Sequence, residues 1–128
     1  MSEEDMAQYR GLQAQMQQLL QTRAQFAQQD TENQMVRKEL EIAGEEATVY
    51  KLVGPLLLKQ EMVEVKENVG KRLEFIAGEI EKVDRQLETK QKEQKALSDR
   101  IVAEQKDMRA RAADEARKVF EQQTAAAK

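Results

Sequence analysis

The side chains able to hold or move a proton are 24 carboxylates and 21 lysines and arginines; the 128-residue chain has no histidine and no cysteine. A thiolate nucleophile and an imidazole relay are therefore both ruled out. Carboxylates can do acid–base work only where burial pushes one of them far from its ordinary pKa, and here acids and bases are interleaved along the whole chain. Gly54-Pro55 is not a glycine-rich phosphate loop, and no spacing matches a metal-ligand set. The expectation is a protein that is not an enzyme and that takes no cofactor and no metal. The remaining chemistry is non-covalent, carried by apolar side chains whose placement depends on the elements that hold them.

Charged residues make up 35% of the chain and aromatics only 4%. That is too little large apolar volume for a compact core at this length, but it suits long helices or coiled coil. The net charge of −3, well mixed, leaves no basic footprint for nucleic acid. No uninterrupted apolar run exceeds the length of Leu56–Leu58, so no membrane span is expected. The opening MSEEDMAQYR lacks the apolar core of a signal peptide, and the lack of cysteine fits a reducing compartment.

The reading is a single domain, 1–128: helix one over 3–46, a β-hairpin over 47–61, helix two over 62–110, and a helical or frayed tail over 111–128. With Tyr9 at position a, the a and d positions of helix one include Leu12, Met16, Leu19, Phe26 and Leu40, interrupted by Arg23, Asp30, Asn33 and Arg37. The polar interruptions predict a drift or stutter in mid-helix. Helix two carries a stronger stripe: Leu73, Ile76, Ile80, Val83, Leu87, Leu97 and Ile101, continuing Val69 and leading to Met108. Folded back on each other, two segments of about 40 residues make an antiparallel coiled coil roughly 60 Å long. The hairpin is then expected at one end and both termini at the other. Counting back from the connector predicts Leu40 near Leu73, and Tyr9 near Lys106 or Met108.

The connector GEEATVYKLVGPLLLKQEM is the apolar exception. Gly44 can end helix one, and Thr48, Val49 and Tyr50 favour strand. Gly54-Pro55 interrupts both helix and ladder, and Leu56–Gln60 can return as a second strand. A lone hairpin is marginal in water and its edges invite pairing. Val49, Tyr50, Leu52, Val53, Leu56, Leu57 and Leu58 are thus expected to be subunit-assembly contacts, completed by hairpins of other subunits.

VYKLVGPLLLKQ followed by VKENVGKRLEFIAGEIEKVDRQL resembles the β-type subunits of prefoldin, most closely from Thr48 to Leu87. The pattern departs at Glu61-Met62-Val63, where an aspartate cap and a more polar first turn belong. The resemblance implies a fold that is mainly α, with two long helices in an antiparallel coiled coil and a hairpin that joins an intersubunit β-barrel. It implies a cytoplasmic hexamer of two α-type and four β-type subunits. Such a hexamer uses no ATP, holds unfolded clients such as actin and tubulin at its coiled-coil tips, and passes them to the group II chaperonin.

On that reading Met6, Tyr9 and Met108 are client-binding candidates, because helix ends fray and expose their seams and methionine adapts to varied partners. Beyond Met108 the heptad lapses, but Ala112, Ala116, Val119 and Phe120 form a weak stripe, which adds Val119 and Phe120 to the candidates. The alternative is a structural coiled-coil spacer or tether in another complex, with the hairpin as a hinge. A hinge, however, needs glycine and proline but not seven large apolar neighbours.

Overall fold

The structure is a computed structural model describing residues 2–126. Its elements are α1 (Glu3–Ala43), β1 (Val49–Val53), β2 (Leu56–Gln60) and α2 (Met62–Ala126). Ser2 caps α1: its Oγ accepts the Asp5 N–H at 3.1 Å, and Glu3, Glu4 and Asp5 place negative charge in the first turn, where the helix dipole favours it. The helix stops at Ala43, short of the expected residue 46. Gly44 takes the left-handed conformation at φ +81° and donates its N–H to the Leu40 carbonyl at 3.3 Å, a glycine C-cap.

Val53 pairs with Leu56, so Gly54-Pro55 is a two-residue hairpin loop. Gly54, at φ +58°, supplies the positive φ that such a turn needs at its first central position. The second central position needs no N–H, so Pro55 fits it. Only Glu61 separates β2 from α2. In place of an aspartate cap, the Glu61 carbonyl accepts the first helical bond, from Val65 N–H at 3.0 Å. From Met62 the helix runs without a break past residue 110 to Ala126. There is no glycine or proline after Gly78 to stop it, and intrahelical ion pairs of Asp107 with Arg111 (3.1 Å) and Asp114 with Lys118 (3.4 Å) support its later turns.

Two compact units share these helices: Gln17–Leu87, and the residues up to Met16 together with those from Glu88 onward. In both, α1 and α2 run antiparallel. The core of the first is Leu40, Met62, Val69 and Leu73, against which Ala47, Val49 and Val65 pack; Ile76, Val83 and Leu87 are also buried. Its seam contains one bidentate ion pair, Arg23 Nε to Asp84 Oδ1 at 2.6 Å and Nη2 to Oδ2 at 3.3 Å. The second unit buries Leu12 and Leu97. There Gln94 Nε2 donates to Gln13 Oε1 at 2.7 Å, and Arg100 grips the buried Asp5.

Two expectations about the coiled coil change. The seam does not drift: Leu12, Met16, Leu19, Arg23, Phe26, Asp30 and Asn33 are all buried or half-buried, and Arg37 alone of the a and d series is exposed. Of the polar members, Arg23 reaches Asp84 across the seam, whereas Asn33 donates to the Gln29 carbonyl of its own helix. The pairing register also differs. Tyr9 lies between Asp5 and Gln13, so it faces the stretch between Gln94 and Arg100 rather than Lys106 or Met108. Leu40 does share a cluster with Leu73, as expected, but also with Met62 and Val69, so a count that takes Leu73 as its level partner overshoots at the far end. The helix α2 continues well past the level of Glu3.

Candidate functional site

The hairpin register is Val49 with Gln60, Tyr50 with Lys59, Lys51 with Leu58, Leu52 with Leu57, and Val53 with Leu56. Alternation divides it into two faces. One carries Val49, Lys51, Val53, Leu56, Leu58 and Gln60. The other carries Tyr50, Leu52, Leu57 and Lys59. The first face leans on the chain's own helices at its base, where Val49 and Gln60 are half-buried and Val49 touches the Leu40 core. The second is open: Tyr50 is 56% exposed, Leu52 69% and Leu57 66%. Val53, Leu56 and Leu58 are exposed as well, so of the seven hairpin residues singled out above, only Val49 has its own core to enter.

The sheet has two strands, so both are edge strands with N–H and C=O groups available for pairing. Covering a leucine side chain is worth about 1.5–3 kcal/mol. Six exposed apolar side chains on ten residues of strand therefore represent a large unrealised burial. The arrangement can offer strand addition and apolar contact to other chains, but it places no set of groups suited to bond-making chemistry.

The other candidates separate by position. Met6 and Tyr9 are half-buried on the seam side of α1. Beside them Ser2 caps the helix and Arg100 holds Asp5, whose side chain is only 4% exposed. The Arg100 guanidinium keeps the Asp5 carboxyl below its ordinary pKa, against the opposing effect of burial. Met108, Val119 and Phe120 stand on the part of α2 beyond α1, all exposed, Phe120 at 68%. From Lys106 to Ala126 every residue except Asp114 is exposed. The seam residues Leu12, Leu40, Leu73, Ile76, Val83, Leu87 and Leu97 are buried, and Met16, Leu19, Phe26, Ile80 and Ile101 half-buried.

Sequence reasoning missed the cross-helix pairs Asp5–Arg100, Gln13–Gln94 and Arg23–Asp84. The available signal was a charged residue at an a position, Arg23, facing a second helix rich in acids. No helix among the described residues is long and apolar enough to cross a membrane.

The sequence matches the profile of the family described as "Prefoldin subunit" over residues 3–108. It is 42% identical over 74 residues to prefoldin subunit 6 of Arabidopsis thaliana, covering 58% of this chain and 57% of that one. It is 39% identical over 79 residues to prefoldin subunit 6 of Homo sapiens, covering 62% and 61%. A probable prefoldin subunit 6 of Caenorhabditis briggsae is 31% identical over 104 residues, 81% of each chain. The matches to the plant and human relatives thus span about three fifths of those proteins. Among solved structures, the prefoldin beta subunit from Thermococcus strain KS-1 superposes with a TM-score of 0.73 at 23% identity, covering 77% of this chain and 87% of that one; this likeness concerns the fold.

Proposed function

The chain belongs to the prefoldin subunit family, and on that premise we propose that it is a β-type subunit of a hexameric, ATP-independent co-chaperone. Its partners are two α-type and further β-type subunits in the cytoplasm. The assembly captures unfolded proteins such as actin and tubulin and hands them to the group II chaperonin. The observation that carries this reading is the hairpin: two edge strands with Tyr50, Leu52, Val53, Leu56, Leu57 and Leu58 exposed, complete only when strands of neighbouring subunits close a barrel around them. A hinge in a spacer protein would have no use for that surface.

Client contact falls to the outer helix surfaces. Val119 and Phe120, with Met108, present apolar atoms on exposed turns of α2; Met6 and Tyr9 add a half-covered seam behind them. Weak contacts of this kind, repeated over several subunits, gain strength by avidity, and release requires only competition from the receiving chaperonin.

Reconstitution tests the reading. Mixed with α-type and other β-type subunits, the full chain enters a hexamer that suppresses aggregation of denatured actin. The Leu52→Asp variant keeps its helicity but drops out of the hexamer. A chain that remains monomeric with every partner, or that dimerises through its helices alone, contradicts the proposal.

A further inference from the structure

Beside the hairpin, on one flank of the Gln17–Leu87 unit, lies a groove of about 190 Å³. Its apolar floor is Val36, Val49, Val65 and Val69, and Lys51 and Arg72 stand at its rim. No carboxylate lines it, and neither rim cation enters a salt bridge among the described residues. Small-molecule sites run to about 300–1,000 Å³, so this groove has room for one or two side chains only. Phe75, 64% exposed, lies three residues on from Arg72 along α2. An apolar socket with two free cations is complementary to one kind of ligand: an aliphatic side chain flanked by carboxylates.

We propose that this groove is a second docking surface of the assembly, separate from the strand edges, and that it receives an acidic, aliphatic segment of an adjoining subunit. The proposal rests on the family reading above and goes beyond it. The chain itself shows what such a segment looks like: on α1 and the turn after it, Ile42 is 79% exposed among Glu41, Glu45 and Glu46. Strand addition is made by backbone groups that every hairpin carries, and opposed side-chain charges bias it by only about 0.2–1 kcal/mol a pair, so a hairpin edge alone selects its partners weakly. A cationic socket beside it admits a neighbour of one charge pattern and rejects the others, and so selects the order of subunits around the assembly.

The test uses the full chain reconstituted with the remaining subunits and p-benzoylphenylalanine in place of Asn68, a residue lining the groove. The expected photo-crosslink lies in an adjoining subunit of another type, within a carboxylate-bearing segment. Lys51→Glu combined with Arg72→Glu is expected to abolish that crosslink and to weaken assembly at least about tenfold at low salt, where the rim charges are least screened. A crosslink to client polypeptide, to a second copy of this chain, or to a neutral or basic segment overturns the proposal, as does assembly unaltered by the charge reversal. Leu52→Asp separates the two levels. If it abolishes assembly while the charge reversal does not, only the groove is wrong; if assembly survives Leu52→Asp as well, the family-based reading fails and the groove with it.

Discussion

Arg23 and Asp84 meet across the seam through two contacts, Nε to Oδ1 at 2.6 Å and Nη2 to Oδ2 at 3.3 Å. This fork has a single geometry. Both side chains are more than 40% open to solvent, so screening limits what the pair adds to stability. Its stronger effect is on alignment, the best-attested use of polar pairs in coiled-coil seams.

Arg23→Leu with Asp84→Leu should therefore leave helicity and Tm unchanged or raised, and loosen the pairing. The chain has no native cysteine, so Gln13→Cys with Gln94→Cys reports the register directly. Disulfide yield between them is expected to fall in the double-leucine background.

Asp5 gives a pH signature. Arg100 holds its carboxyl below the ordinary value of 3.8. A folded pKa below the unfolded one contributes stability fully above the unfolded value, and that contribution is lost only as pH falls through the folded one. Amide-exchange protection of the first turns of α1, corrected for intrinsic rates, should stay level from neutrality to about pH 4 and collapse below it. Asp5→Asn should lower that protection at neutral pH and remove the acid step.

At the hairpin tip, a Cβ added to Gly54 would meet nothing within 4 Å. Gly54→Ala therefore isolates the backbone cost of φ +58°, about 1–2 kcal/mol for an L-residue. Assembly should weaken by roughly tenfold, and D-alanine at the same position, introduced by semisynthesis, should restore it.

Phe120→Ser removes the largest exposed side chain of the last turns of α2. Hexamer formation should be unaffected, while capture of denatured actin falls several-fold in an aggregation assay. Equal capture would move client binding to the Met6–Tyr9 seam.

Much of this molecule is legible in its sequence, for local reasons. Gly54-Pro55 between two apolar runs reads as a turn because positive φ and a missing N–H are properties of those residues themselves. The stripe from Val69 to Ile101 reads as a buried helix face because its period is intrinsic to the helix. The alignment of the helices is not legible in the same way. Arg23 could have reached any of several acids on α2, and choosing Asp84 requires knowing which residue of α2 stands level with Leu40. The closed N-terminus escaped for the same reason: Asp5 looks like one of three first-turn acids until Arg100 is placed over it. The groove was invisible because Val36, Lys51 and Arg72 come from three different elements.

The last turns of α2 obey a different physics from the rest of the fold. Elsewhere the helices are held chiefly by buried side chains, which salt barely touches. Between Asp107 and Lys118 the visible supports are surface ion pairs, each worth a few tenths of a kcal/mol and weakened by ionic strength. A helix of that length without burial sits close to the coil transition. Its helicity should therefore respond to ionic strength far more than that of the buried turns, without disturbing a single core residue.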